Sequence, residues 1–279
     1  DAPMHPSPHT NAQDSTSPPA LAPDAADPPQ PSNPTAGNRR EPRDEGQWAL
    51  GSRTPLNANE EFKLADNGLN VRERIETLYS VQGFGSIPDA DLRGRMRWWG
   101  LYTQRRPGID GGRTGSLPAE ELDDEFFMLR IRSDGGALTG VQVRTIAEIS
   151  AEFARGTADI TDRQNIQLHW IRIEDVPEIW RRLEAVGLSS TEACGDTPRV
   201  VLGSPVAGVA ADEILDGTSA IEAIVARFVG DPEYANLPRK FKSAVSGSPR
   251  LDVAHEINDV SFVGVVHPEH GPGFDVWVG

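Results

Sequence analysis

The sequence predicts an α+β protein, a ferredoxin-like half-domain followed by a second, incomplete α/β unit. Two observations carry that expectation. From Phe126 to Val186 the periodicity runs strand, helix, strand, helix within about 65 residues, the order of a split βαβ unit. After Gly195 a strand, a helix and a basic segment lead into two further strands, the start of another α/β layer.

Residues 1–45 read differently from the rest. About half of the chain's prolines fall there, among Ser, Ala, Asn and Asp, with almost no large apolar side chain. Such a stretch buries too little surface to offset its ordering entropy and is expected to be disordered. From Trp48 onward the character is globular. Val71 to Tyr79 reads as a short helix with Asn70 as its cap, and Asp89 to Trp98 as a second. A basic run, Tyr102-Thr103-Gln104-Arg105-Arg106, leads into a Gly/Pro loop from Pro107 to Pro118.

Phe126 to Arg132 is β-rich and ends at Asp134-Gly135-Gly136. Val143, Ile146, Ile149 and Phe153 recur at helical spacing, with Gly156 at the C′ position. Asn165 to Ile173 alternates as a strand, placing Ile166, Leu168 and Trp170 on one face and Gln167, His169 and Ile171 on the other. Val176 to Val186, closed by Gly187, is amphipathic. Beyond it come a strand over Arg199–Leu202, a helix over Ser219–Val229, and strands over Val260–Val266 and Phe274–Val278. The chain stops on Gly279 within apolar sequence, which predicts a fragment.

The bulk chemistry excludes several roles. With 42 acidic residues against 27 basic ones, the net charge of −15 argues against nucleic acid or an anionic membrane as partner. No apolar run approaches the ~18–20 residues of a membrane span, and the N-terminus lacks a secretory layout. A single cysteine excludes an internal disulfide and fits a reducing cytoplasm; it also cannot hold an iron–sulfur cluster, which takes about four. Phosphate loop, dinucleotide fingerprint and zinc spacing are absent, so no metal ligand is predicted.

Against that acidic background some polar residues keep unusual company. Arg130 and Arg132 lie in an apolar strand and share a face, as edge-strand ion-pair residues or as guanidinium groups aimed at an anion. Lys240 and Lys242 repeat the i, i+2 spacing around Phe241, either as a solvated basic patch or as cations whose crowding favours proton donation. Thr161 to Trp170 groups donor-bearing side chains at the entry to a strand, which suits a ligand with several carboxylates. His169 reads as a structural histidine, and Cys194 has no partner set for a nucleophile.

These residues also carry a resemblance. Leu129-Arg130-Ile131-Arg132, Asp162-Arg163-Gln164-Asn165-Ile166-Gln167, Ala193-Cys194-Gly195-Asp196 with Arg199, and Pro238-Arg239-Lys240-Phe241-Lys242 occur in that order in the sirohaem-dependent sulfite and nitrite reductases. The helix Ala147–Arg155 and His255-Glu256-Ile257-Asn258-Asp259-Val260 match as well. Through Gly46-Gln47-Trp48-Ala49-Leu50-Gly51 and Trp98-Trp99-Gly100-Leu101-Tyr102 the chain is similar in particular to the actinobacterial ferredoxin-dependent sulfite reductases, over residues 45–279.

The resemblance implies six-electron reduction of sulfite to sulfide, or of nitrite to ammonia, with electrons passing from ferredoxin through a [4Fe-4S] cluster to sirohaem. It implies that Arg130, Arg199, Lys240 and Lys242 surround the substrate anion. Arg163 and Gln167, with Gln164 and Asn165, would bind the sirohaem carboxylates, and Tyr102 and Cys194 would lie beside the cofactor, close enough to touch or become cross-linked. The cluster cysteines would belong to a missing C-terminal half, leaving this chain inactive alone. The contrasting expectation is a non-catalytic anion- or tetrapyrrole-binding module. The expected organisation is an extension at 1–45, a helical and loop segment at 46–117, the ferredoxin-like half-domain at 118–190 and a truncated sirohaem-binding domain at 191–279.

Overall fold

The computed structural model describes residues 58–113, 116–250 and 252–279. The expected extension at 1–45 and the Gly46–Gly51 motif lie outside the described residues.

Helix α1 (Ala58–Ala65) precedes a helical run over 71–82, α2, which is α-helical at Val71–Arg74 and widens to π geometry over Ile75–Tyr79. Asn70 does not cap it. The helical path starts earlier, with a 3-10 turn at Gly68–Asn70, so Asn70 already has helical dihedrals and its amide donates to Asp66. The cap is Asn67, whose side chain accepts from the Leu69 N–H at 2.9 Å. The second expected helix is a π turn at Ala90–Gly94 followed by a 3-10 turn at Arg95–Trp99.

The basic run after it is a strand, β1 (Leu101–Arg105), paired antiparallel with β2 (Asp123–Ile131). Helix α3 (Gly140–Phe153) opens on a capping box between Thr139 and Gln142. Strand β3 (Asp159–Ile160) and strand β4 (Ile166–Ile171) follow, then α4 (Val176–Glu184). The sheet order is β1-β2-β4-β3, with β4 antiparallel to both β2 and β3. Strands β2 and β3 are therefore parallel with β4 inserted between them, which is the split βαβ connection. Phe127, Leu129, Ile131, Leu168 and Ile171 are buried in one core with Ile146, Ile149, Ile179, Trp180 and Leu183 of the two helices. Gly187 takes a positive φ of 73° after α4, as its position suggests.

The expected alternation of β4 fails at Trp170. That residue has φ 67°, and the register with β2 shifts between Phe127 and Leu129. The bulge turns Ile171 into the core and leaves Trp170 half-buried on the other face. There its ring lies 3.8 Å from the Arg155 guanidinium carbon, and Arg155 is itself left-handed with φ 58°.

The second sheet has the order β5-β6-β7-β8, from β5 (Leu202–Gly203), β6 (Ser243–Ser246), β7 (Val260–His267) and β8 (Gly271–Val278). The first three strands are parallel and β8 returns antiparallel to β7. Ile221 and Ile224 of α5 (Thr218–Phe228) pack on Val201, Val245 and Phe262.

The two sheets meet at Arg132. Its guanidinium grips Asp134 through Nε at 2.8 Å and Nη2 at 2.9 Å, and donates to the carbonyls of Glu192, Pro198 and Arg199 at 3.0, 3.2 and 3.2 Å. Asp134 in turn accepts the Val201 N–H at 2.8 Å. Replacing Arg132 with Ala strands a carboxylate and three buried carbonyls, and is expected to cost about 3–5 kcal/mol in urea unfolding monitored by tryptophan fluorescence.

Candidate functional site

The face of the first sheet opposite α3 and α4 carries Tyr102, Arg130 and Gln167, all half-buried. Arg130 and Gln167 are register partners on β2 and β4. With the Gln167 amide oriented by its hydrogen bonding, its oxygen accepts from Arg130 Nη2 at 2.6 Å and Nε at 3.2 Å. The same guanidinium reaches Cys194 Sγ at 3.7 Å and lies 5.7 Å from the Tyr102 ring centroid. Arg130 therefore sits between the two residues expected beside a cofactor.

The loop 190–199 supplies the facing wall. Gly195 has φ 92°, and a Cβ there would meet the Trp98 ring at 3.0 Å, so only glycine lets Cys194 and Asp196 take their places. Asp196 is fixed by Lys63 Nζ at 2.9 Å. At the end of the loop the Arg199 N–H donates to the Phe241 carbonyl at 2.8 Å, which draws the Lys240–Lys242 segment alongside. Arg199 is 8% exposed, and its Nε is buried with no acceptor.

Arg163, from the turn before β4, donates through Nη1 to the Val200 carbonyl at 3.0 Å and through Nη2 to Asn258 Oδ1 at 2.5 Å. Burial, and then the charge of Arg199, pull the guanidinium groups of both Arg130 and Arg163 down to about 10, with Asp259 acting in the opposite sense on Arg163. Both remain cations at neutral pH. Arg199 thus repels both Arg130 and Arg163.

Their partners set these arginines apart. Among the described residues, the other arginines that are not exposed, Arg72, Arg74, Arg93, Arg95, Arg132 and Arg182, each meet a carboxylate within ion-pair distance. Arg130 and Arg163 instead meet neutral oxygens, and Arg199 offers a buried donor to nothing. Positive charge concentrated without an ion-pair partner favours the approach of an anion.

The remaining expected residues divide. Gln164, with φ 55°, spends both ends of its amide on the backbone of Gly203, at 2.8 and 3.0 Å, and so works as a rung between the sheets. Asn165 is 1% exposed, gives its amide N–H to the Arg163 carbonyl at 3.3 Å and leaves Oδ1 without a donor. Lys242 donates from Nζ to the Ile257 carbonyl at 3.3 Å, and its N–H is held by Asp259 Oδ2 at 2.6 Å. Lys240 is exposed. His169 pairs with Asp159 at 3.1 Å, a structural contact on the sheet edge.

Sequence reasoning missed Asn258, Asp259 and Glu192. Asn258 and Asp259 lie in a segment that the family resemblance marks and Glu192 immediately precedes another, but nothing in their spacing reveals their partners. Glu192 is fully buried with φ 52°; Oε2 accepts the Gly230 N–H at 2.9 Å while Oε1 has no donor. Burial pushes its carboxyl up to about 7, despite the Gly230 N–H and the Arg132 charge pulling the other way.

An α+β fold that gathers three arginines without an ion-pair partner beside one sheet suits an anionic ligand, and the comparisons with known proteins place the chain in a family. The family model described as the nitrite/sulfite reductase ferredoxin-like half domain matches residues 120–186. The nitrite and sulphite reductase 4Fe-4S domain matches residues 194–279. The chain is 65% identical over 237 residues to a sulfite reductase [ferredoxin] of Mycobacterium tuberculosis, covering 85% of this chain and 42% of the relative. It is 37% identical over 231 residues to a ferredoxin--nitrite reductase of Leptolyngbya laminosa, covering 81% of this chain and 42% of that protein. The solved structure of the Mycobacterium tuberculosis NirA protein superposes with a TM-score of 0.80 at 65% identity, over 84% of this chain and 42% of that one. The chain belongs to the nitrite and sulfite reductase family, and it spans less than half the length of these relatives.

The raised Glu192 carboxyl predicts a pH dependence of stability. A carboxyl whose folded value lies above its unfolded value of 4.5 contributes stability that is complete below 4.5 and lost as the pH rises through about 7. The Glu192→Gln variant keeps the acceptor for Gly230 without titrating. Between pH 5 and 8 the wild-type melting temperature is expected to fall by several degrees relative to the variant's, read by calorimetry.

Proposed function

We propose that the chain is the N-terminal part of a ferredoxin-dependent assimilatory sulfite reductase, which reduces sulfite to sulfide by six electrons at sirohaem. The observation that carries this reading is the set of half-buried Arg130 and Arg163 and buried Arg199, none with a carboxylate in ion-pair contact. Sirohaem is rich in carboxylates and sulfite is a small dianion, so both suit donors that lack a counter-charge. The buried Arg199 Nε without an acceptor and the buried Asn165 Oδ1 without a donor are consistent with a polar group being received there.

In this reading Arg163 and Gln167, with Asn165 beside them, hold the carboxylates of sirohaem, and Gln164 secures the sheet seam behind them. Sirohaem, when bound, supplies the iron at which the anion is reduced. Arg130, Arg199, Lys240 and Lys242 bind and orient sulfite and stabilise negative charge as it develops. The lysine ammonium groups are the proton carriers, since each can donate and be recharged from solvent. The [4Fe-4S] cluster does not fit this chain's own residues. Cys194 is its one cysteine and is within reach of Arg130, and no group of three or more ligating side chains occurs among the described residues. Cluster ligands are assigned to the length that the relatives have and this chain does not span, and the chain alone is expected to be inactive.

Sulfite is preferred to nitrite because the sulfite reductases are 62–65% identical to the chain against 34–37% for the nitrite reductases. Reduced ferredoxin is the proposed electron donor and the cytoplasm the proposed location. No helix among the described residues is long and apolar enough to cross a membrane. Domain boundaries near 117 and 190 are supported by the limits of the two family models, at 120, 186 and 194.

In the full-length reductase, Arg199→Ala is expected to lower sulfide production from sulfite about 10²-fold while leaving the visible sirohaem absorbance in place. Turnover equal to wild type would remove Arg199 from the site. A preference for nitrite over sulfite in the same assay would overturn the substrate assignment.

A further inference from the structure

Six residues, Ala254 to Asp259, join the second sheet's loops to β7 and touch two of the site's cations. The turn opens on Ala254, left-handed at φ 46°, and is anchored by the His255 carbonyl, which accepts from Ser261 Oγ at 2.9 Å. Asn258 follows, 4% exposed. Its Nδ2 donates to the Ala254 carbonyl at 3.1 Å, so the donor end of the amide is occupied and the oxygen must face Arg163 Nη2. Ile257 offers its carbonyl to Lys242 Nζ, again a neutral acceptor. Asp259, whose charge acts on Arg163 from beyond ion-pair distance, is engaged with the Lys242 backbone N–H.

The choice of an amide at 258 has an electrostatic consequence. A carboxylate at hydrogen-bond distance would form a charge-assisted pair with Arg163, as Asp134 does with Arg132. Such a pair would cancel the charge of Arg163 before any ligand arrived. An amide fixes the guanidinium equally well in space and leaves its charge intact. Asn258 also opposes the repulsion from Arg199, which would otherwise drive Arg163 away.

We propose that Asn258 is a positioning residue that aims Arg163 at an anionic ligand while keeping the arginine uncompensated, and so sets the affinity of the site for polyanions. The inference rests on the sirohaem-site reading above and adds a residue and a physical role to it. The site's affinity comes from leaving three guanidinium groups without a carboxylate in ion-pair contact, and Asn258 supplies geometry without adding one.

The test compares Asn258→Asp with Asn258→Ala in the 279-residue chain. Both lose the bond to Ala254, and only the first adds a charge. Sirohaem is titrated into each by absorbance at two ionic strengths, and inorganic sulfite by calorimetry. Asn258→Ala is expected to weaken binding about threefold through lost positioning. Asn258→Asp should weaken it at least about tenfold more, with a shallower salt dependence, while its melting temperature is no lower than that of Asn258→Ala. Equal affinities for the two variants would overturn the proposed role of charge neutrality, and affinities equal to wild type would overturn positioning altogether. A wild-type chain that binds sulfite but not sirohaem would sink the sirohaem reading and leave the comparison of variants to be read on sulfite. A wild-type chain that binds neither overturns both.

Discussion

The contact between Arg132 and Asp134 holds the two sheets to one another and places everything at the site. Both residues follow β2 directly, so the first sheet ends in a bidentate ion pair. The arginine then gathers the carbonyls of Glu192, Pro198 and Arg199, and the aspartate takes the N–H of Val201. One ion pair thus fixes both ends of the loop that bears Cys194 and Arg199 relative to the strand that bears Arg130. The backbone supplies most of the acceptors, and carbonyls buried this way must be satisfied or they cost free energy. The amide of Gln164 against Gly203 and the guanidinium of Arg163 against Val200 continue the same seam.

Charge is distributed unevenly for a reason. A protein of net charge −15 has ample carboxylates to neutralise its arginines, and for the other described arginines that are not exposed it does so. At the site it withholds them. Arg130 is oriented by Gln167, Arg163 by Asn258 and Val200, and Arg199 is held only through its backbone. Neutral acceptors position a cation without neutralising it. The cost appears as depressed proton affinity in Arg130 and Arg163, and the stability of the surrounding seam holds them in place regardless.

Much of the fold was legible. Helical spacing located α3, amphipathic patterning α4, a β-rich run β2 and alternation most of β4, and α5, β7 and β8 were expected close to where they form. The short strands were less so. β3 has two residues and exists only because β4 is there to pair with it, and the strand expected over Arg199–Leu202 forms only at its end, as β5. Ser243–Ser246, though fully buried, reads as loop because small polar residues carry little strand signal. At Trp170 the alternation reverses, since the bulge leaves its ring against Arg155 and Phe126 and lets Ile171 into the core. Asn70 resembled a cap, and only the preceding 3-10 turn shows that Asn67 has that place.

For the site, the sequence by itself determined which side chains were candidates. Arginines within apolar strands, lysines at i, i+2 and clustered amides are anomalies of composition, and their order along the chain marked a family. Partnership was decided only by the tertiary structure. Arg130 and Arg132 share a face and look equivalent in sequence, yet Arg132 is clamped to a carboxylate and Arg130 faces an amide. The physical reason is that Arg132 finds its carboxylate two residues along the chain, at Asp134, whereas the acceptors that meet Arg130 and Arg163 arrive from distant segments, at 167, 200 and 258, and local sequence does not encode which of these comes within hydrogen-bond distance.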